Sequence, residues 1–117
     1  MLTRFHRFHG YGSLRRAYSG GQTVRGQFIN LRFLARPGNK PYRVGVVVSR
    51  KVHKSAAIRN RIRRRIYECV RNSEHIPPAT DIIFTVFSDQ VANIEAKQLS
   101  SIINELLSKV TAHQKNA

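Results

Sequence analysis

Acidic residues are missing from most of this 117-residue sequence. The first 67 residues contain 17 Lys or Arg and no Asp or Glu, whereas the last 50 contain four basic and six acidic residues. The formal net charge is therefore +15. Such an uneven basic charge is typical of proteins that bind nucleic acids, and an anionic membrane surface could also attract it. A protein-only metal nuclease, which clusters carboxylates, is disfavoured.

Cysteine is also nearly absent, because Cys69 is the single cysteine of the chain. An internal disulfide is excluded and the chain suits a reducing compartment, so we expect a cytoplasmic location. We expect Cys69 to be a small buried hydrophobe rather than a reactive thiol. No apolar run approaches the roughly 20 residues that span a bilayer. The basic N-terminus lacks the apolar segment of a secretory signal, so we expect no such signal.

The motifs of common enzyme classes are missing as well, namely GxSxG, HExxH, the P-loop and CxxC. His6 and His9 form an HRFH segment, but neither a cysteine nor a carboxylate lies nearby in the sequence to complete a metal site. The sequence therefore predicts no catalytic residue and no metal ligand in the protein.

The hydrophobic content of 41% predicts a folded chain with one domain over residues 1–117. We place its core at about residues 3–110, between a flexible basic N-terminal arm and a flexible C-terminal tail. The pattern of elements is helix, strand, strand, helix, strand, helix. This order predicts an α+β fold, a two-layer α-β sandwich whose mostly antiparallel sheet carries packed helices.

Alternation of apolar residues and turn signals gives the boundaries of these elements. The strand over 42–49 is rich in β-branched residues, and we expect it to be central and antiparallel to the strand before it. The strand over 81–87 is apolar on both faces, which predicts cover on both sides. We expect the last helix to be amphipathic and the chain to fray from Thr111. The predicted elements are Ser13–Tyr18 (helix), Val24–Arg36, Tyr42–Ser49 and Asp81–Phe87 (strands), and Ala96–Val110 (helix).

The fourth predicted element is a helix that begins after Ser55, a plausible N-cap, and ends at Asn72-Ser73. Its apolar residues recur at three- and four-residue spacing, which places them on one face. That stripe contains Ile58, Ile62, Ile66, Cys69 and Val70.

The same segment carries the densest charge of the chain. Between Arg50 and Arg71 lie nine Lys or Arg and one acid, Glu68. Like charges this close repel one another, so the segment favours a polyanionic partner. At about 100° per residue, Asn60 and Arg64 fall opposite the apolar stripe, while other arginines flank its edges.

Aromatic and polar residues alternate at the start of the first strand. Phe28, Asn30 and Arg32 share a face there, and such a set can stack an unpaired base and bind its phosphate. Phe28 could equally be half-buried under a helix, and the sequence alone leaves both interpretations open.

The stretch from Val44 to Glu68 resembles the protein subunit of bacterial ribonuclease P. The resemblance is carried by the triplet Ser49-Arg50-Lys51 at the end of a strand and by Arg59-Asn60-Arg61-Ile62-Arg63-Arg64 at the start of a helix. A Gln27-Phe28 strand start and Pro78-Ala79-Thr80-Asp81 also fit, and the resemblance covers roughly residues 3–110. It implies a sheet of about four strands with a left-handed β-α-β crossover, as in the ribosomal protein S5 domain 2-like fold.

The resemblance also implies a function. In that family a large RNA carries the chemistry, with Mg²⁺ bound mainly by this RNA and the substrate. The protein is a non-catalytic subunit that binds ribonuclease P RNA and the 5′ leader of precursor tRNA, and it assists endonucleolytic removal of the leader. One protein per RNA is expected, although the oligomeric state is open, and no membrane partner is expected. The alternative is a small structural RNA-binding protein of ribosomal type, with the same composition.

Site residues follow from the matching positions. The leader-binding cleft would include Tyr18, Phe28 and Arg32, and Arg32 stands where the family often has an aromatic residue. This departure shifts leader binding from stacking towards charge. The RNA-binding residues implied are Arg50, Lys51, Lys54, Arg59, Asn60, Arg61, Arg63, Arg64 and Arg65.

Overall fold

The computed structural model describes residues 20–36, 41–73 and 76–115. In this part of the chain four strands form one sheet, and two helices and a 3₁₀ turn complete the fold. The predicted helix Ser13–Tyr18 and the basic N-terminal arm lie outside the described residues. The elements are β1 (Gln22–Arg25), β2 (Ile29–Ala35), β3 (Arg43–Val48), α1 (Ala56–Arg71), β4 (Thr80–Val86), the 3₁₀ turn (Asp89–Ala92) and α2 (Ala96–Lys115).

The sheet has the strand order β1-β2-β4-β3. Two of its pairings, β1 with β2 and β2 with β4, are antiparallel, whereas β3 pairs with β4 in parallel. Helix α1 connects the two parallel strands, since a parallel pair needs a crossover. The predicted α+β sandwich with a mostly antiparallel sheet is confirmed. The left-handed sense of the crossover stays a prediction.

The predicted strand Val24–Arg36 is wrong in one respect, because the structure divides it into β1 and β2. The chain turns back between them, and Arg25 pairs with Asn30 across the hairpin. Phe28 lies in this turn with φ of 67°, a conformation that ends a strand. A Cβ on Gly26 would lie 2.8 Å from Leu106 Cδ2 and 2.9 Å from the Ile29 carbonyl oxygen, so only glycine fits there.

The expectation for β3 is also wrong. Among the described strands, it forms an edge of the sheet, pairs with β4 alone and runs parallel to it. Its apolar residues Val44, Val46 and Val48 are buried on the face that α1 covers, so burial under a helix produced the pattern of a central strand. Strands β2 and β4 occupy the centre, and β4 is buried on both faces as predicted.

Helix α1 forms where its sequence predicts. The Ser55 hydroxyl accepts a hydrogen bond from the Ile58 backbone N–H at 3.3 Å, and Asn72 caps the other end. Ile62, Ile66 and Val70 are fully buried. Ile58 and Cys69 are only half-buried, so the burial expected for Cys69 is incomplete, and its Sγ lies 3.6 Å from Ser100 Oγ.

Helix α2 completes the same core. Its predicted apolar stripe is buried in one cluster with α1 and with alternate residues of the sheet. Both helices therefore cover one face of the sheet, and that face contains Leu31, Val46 and Phe84. The helix continues to Lys115 instead of ending at Val110 as predicted. The flexibility expected from Thr111 stays a prediction. The stripe is Leu99, Ile102, Ile103, Leu106, Leu107 and Val110.

Candidate nucleic-acid interface

The arginines in the first three turns of α1, together with Asn60, fall into three rows. One row flanks the buried stripe on the side of β3, a second flanks it on the side of the 3₁₀ turn, and a third faces away from the protein. We call the two flanking sets the edge rows and the last set the outward row. The side chains of the three rows differ in what they contact within the described part of the protein.

The first edge row consists of Arg59 and Arg63, which contact the end of β3 and the loop that follows it. Arg59 Nη1 donates to the carbonyl oxygens of His53 and Lys54, at 3.0 and 2.9 Å. Arg63 Nη2 donates to the Val48 carbonyl oxygen at 3.3 Å. These bonds join the helix to the loop that leads into it.

The second edge row, Arg61 and Arg65, contacts the 3₁₀ turn. Arg61 Nε donates to the Ala92 carbonyl oxygen at 3.0 Å. Arg65 Nη1 donates to the Val91 carbonyl oxygen at 2.6 Å, and its Nη2 donates to that of Ile94. Backbone carbonyls are neutral, so all four edge arginines keep their full positive charge while they fix the helix in place.

The outward row contains Asn60 and Arg64, both exposed. Within the described part of the chain, Arg64 makes neither a hydrogen bond nor an ion pair. Arg63 Nη1 donates to Asn60 Oδ1 at 2.7 Å, which links the first edge row to the outward row. These three residues, with Ala57 and Tyr67, line an open depression of about 510 Å³. A concave surface with a free guanidinium is suited to phosphate groups of a folded RNA.

Three further cations precede the helix. Arg50, Lys51 and Lys54 are exposed in the loop after β3, and their side chains have no ion-pair partner among residues 20–36, 41–73 and 76–115. Glu68 is the only acid of the helix, and it lies 3.8 Å from Arg71 at the C-terminal end. The charge of the loop and of the first three helical turns is therefore uncompensated by these residues. All nine predicted RNA-binding residues lie on this loop and helix, and their contacts with RNA stay predictions.

The predicted leader-binding cleft lies elsewhere, on the face of the sheet opposite α1 and α2. Arg32 belongs to this face, where its Nη1 donates to Thr23 Oγ1 at 2.8 Å. Its Nε is buried and has no hydrogen-bond partner among the residues that the structure describes. Phe28 is half-buried and packs against the core cluster from the β1–β2 turn, which favours the packing interpretation for this residue. Tyr18 lies outside the described residues.

The same face holds a buried ion cluster that was not predicted from the sequence. Asp81 is 1% exposed. Arg43 binds it in a bidentate manner, with Nε 2.8 Å from Oδ1 and Nη2 2.7 Å from Oδ2. Arg36 Nε lies 2.8 Å from Oδ1 as an ion pair outside hydrogen-bond geometry. No local pattern in the sequence indicates this cluster, because Arg43 and Asp81 lie 38 residues apart in the chain.

Tyr42, the residue before Arg43, packs against the hydrophobic core on the other face, and its burial raises the pKa of its phenol. The carboxylates of the described residues do not form a Mg²⁺ site, because Asp81 is enclosed by two arginines and no group of three His, Cys, Asp or Glu comes together there. Among the described helices, none is long and apolar enough to cross a membrane.

Comparison with known proteins identifies the family. Residues 2–111 match the ribonuclease P family. The chain belongs to this family. The match includes β3, α1 and the loop between them, so the ribonuclease P resemblance inferred from Ser49-Arg50-Lys51 and the Arg59-Asn60-Arg61 frame is confirmed.

Individual relatives and structures agree with this assignment. The chain is 34% identical over 86 residues to the ribonuclease P protein component of a Picosynechococcus species, an alignment that covers 73% of each protein. It is 31% identical over 101 residues to that of Caldanaerobacter subterraneus, with 86% of this chain and 84% of the relative covered. The structure of the Staphylococcus aureus RNase P protein is similar with a TM-score of 0.76 at 24% identity, over 90% of this chain and 94% of that one, and this likeness shows the fold.

Proposed function

We propose that this chain is the protein subunit of ribonuclease P. It binds the large RNA of that enzyme through α1 and the loop before it, and it contacts the 5′ leader of precursor tRNA with the opposite face of the sheet. The RNA carries out the endonucleolytic cleavage, which releases the mature 5′ end of the tRNA. One protein binds one RNA, and the complex acts in the cytoplasm.

This proposal rests on one observation, which is that the arginines in the first three turns of α1 contact neutral groups or have no partner within the described structure instead of pairing with carboxylates. Four of them donate to neutral backbone carbonyls, and Arg64 has no partner among the described residues. An arginine held against a carboxylate would lose most of its attraction for phosphate. Here the hydrogen bonds orient the helix and leave its charge available, which suits a docking surface for a polyanion.

We assign the chemistry of the cleavage to the RNA because the ribonuclease P family implies it, and among the described residues no group of three His, Cys, Asp or Glu comes together. We expect Mg²⁺ to be held mainly by the RNA and the substrate. The protein supplies positive charge, which reduces repulsion between the enzyme RNA and precursor tRNA. The protein should therefore stimulate cleavage most at low Mg²⁺ concentration, where few Mg²⁺ ions are present to reduce this repulsion.

Reconstitution tests the proposal directly. The protein is added to the RNA subunit of a bacterial ribonuclease P at low Mg²⁺ concentration, and cleavage of precursor tRNA is followed. We expect strong stimulation by the wild-type protein. A variant with Arg50→Ala, Lys51→Ala and Arg64→Ala should fold normally by circular dichroism and should stimulate much less, because it lacks three uncompensated charges.

Two results would contradict the proposal. One is a folded wild-type protein that leaves the cleavage rate unchanged. The other is cleavage by the protein without RNA. Preferential binding to ribosomal RNA fragments over the ribonuclease P RNA would instead favour the structural RNA-binding alternative.

A further inference from the structure

A pocket of about 340 Å³ lies where the parallel strands β3 and β4 end. The chain leaves β3 through the loop that contains His53 and leaves β4 into the 3₁₀ turn, and both segments line the pocket. Ligands of sheets with parallel strands commonly bind outside the carboxyl ends of those strands. The volume is at the lower end of the range for small-molecule sites, which suits a single base better than a larger ligand.

The rim of the pocket is polar. His53 Nδ1 accepts a hydrogen bond from the Ser55 backbone N–H at 3.0 Å, so the neutral imidazole carries its proton on Nε2 as a donor. Asp89, Gln90 and Asn93 complete the rim. Their side chains are exposed, and none of them makes a hydrogen bond to another described side chain or backbone group. The rim therefore offers both donors and acceptors, as the edge of a nucleobase requires.

The floor of the pocket is apolar. Ile58 and Ile94 are half-buried there, and Ala92 is buried beneath them. A planar ring can lie against such a surface while its edge reaches the polar rim. The combination of an apolar floor with a few polar groups around it distinguishes a pocket for a ring from a surface that only binds ions.

The surroundings of the pocket are positive on one side. Arg50, Lys51 and Lys54 stand in the same loop as His53, and their side chains are exposed without an ion pair to a described residue. Asp89 is the acid on the opposite side, where it repels phosphate but can accept a hydrogen bond from the N–H of a base. The charges therefore favour a nucleotide whose base faces the 3₁₀ turn and whose phosphates face the loop.

An exposed aromatic residue lies at the same end of the sheet, where β3 and β4 finish. Phe87 is 54% exposed and is the large hydrophobic residue with the greatest exposure in the described chain. It follows Val86, which is paired with Val48, so it leaves the sheet beside Ser49. A base next to the one in the pocket could stack on this ring.

We propose that this pocket binds one unpaired base of an RNA strand, whose flanking phosphates contact Arg50, Lys51 and Lys54. The inference rests on the proposed function and adds to it a base-binding site away from both the outward row of α1 and the predicted leader-binding cleft.

The test uses the full chain and a short single-stranded oligoribonucleotide without self-complementarity. The double variant Gln90→Ala/Asn93→Ala removes two amides of the rim, and Gln98→Ala removes an exposed amide of α2 as the matched control. We expect the double variant to bind the single strand roughly tenfold more weakly, the size of one lost base contact, and the control to bind like the wild type. The same RNA in a duplex should bind all three proteins equally, because its bases are paired.

A second measurement is independent of affinity. In nitrogen-15 NMR spectra, the side-chain amide signals of Gln90 and Asn93 should shift on addition of the single strand, while that of Gln98 should not. Guanosine monophosphate alone should produce smaller shifts, because it lacks the flanking phosphates. Two results would overturn the proposed base-binding pocket without affecting RNA binding by α1. One is a set of unchanged amide signals, and the other is a double variant that loses the same affinity for the single strand and for the duplex. Absence of any RNA binding by the wild type would overturn the proposed function instead.

Discussion

Arginine residues have different contact partners in two regions of this protein. Among the described residues, the arginines in the first three turns of α1 donate to backbone carbonyls or have no partner, and the only acid of the helix, Glu68, lies near Arg71 at its C-terminal end. On the opposite face of the sheet, Arg36 and Arg43 enclose Asp81, whose side chain is 1% exposed. One region keeps its charge and the other neutralises much of it.

The comparison shows that the number of basic residues does not measure the capacity to bind RNA. The formal charge of +15 counts Arg43 and Arg64 equally. Arg43 belongs to a buried pair, where loss of one partner leaves an uncompensated charge in the protein. Arg64 has no hydrogen-bond or ion-pair partner among the described residues, so its charge is available to a phosphate group. The partner of each arginine, rather than the density of arginines, separates the two roles.

The largest expected effect is on stability, from the change Asp81→Asn. It leaves the guanidinium groups of Arg36 and Arg43 together without their anion, and both are only 16–20% exposed. We expect the free energy of unfolding to fall by about 3 kcal/mol, measured by urea denaturation. Asp89→Asn, which changes an exposed carboxylate, is the control and should alter stability by less than about 0.5 kcal/mol. An equal response of the two variants would show that the buried cluster does not stabilise the fold.

The next effect separates the edge rows from the outward row. Arg65→Ala removes the hydrogen bonds to the carbonyl oxygens of Val91 and Ile94, so we expect a loss of about 2 kcal/mol in the free energy of unfolding. Its neighbour Arg64→Ala removes a side chain without a partner in the described structure and should leave stability within about 0.5 kcal/mol of the wild type. If urea denaturation gave both variants the same stability, the distinction between the rows would be lost.

The sequence predicted the local structure of α1 in detail, because a helix depends on spacing that can be read directly. Ser55 and Asn72 cap it, and Ile62, Ile66 and Val70 are buried as their period requires. The outward position of Arg64 follows from the same period. The Ser49-Arg50-Lys51 triplet and the Arg59-Asn60-Arg61 frame were specific enough to identify the family.

What the sequence did not predict depends on contacts between distant residues. The edge position of β3 is set by which strand pairs with it, and a strand buried under a helix has the same composition as a central one. Arg65 finds its carbonyl partners 26 and 29 residues away, and Arg43 finds Asp81 38 residues away. The pocket beside His53 likewise forms only when the ends of β3 and β4 come together. For the turn between β1 and β2, by contrast, the glycine at position 26 is a local sequence feature that favours a turn.

The most direct test of the account is the salt dependence of binding to the ribonuclease P RNA, compared for the wild type and Arg64→Ala. If Arg64 contacts a phosphate, its removal should reduce the slope of log affinity against log salt by about 1, as one fewer counterion is released. Lys109→Ala, a change of an exposed cation on α2, should leave the slope as it is in the wild type. A slope for Arg64→Ala equal to that of the wild type would contradict the claim that the outward face of α1 docks on RNA.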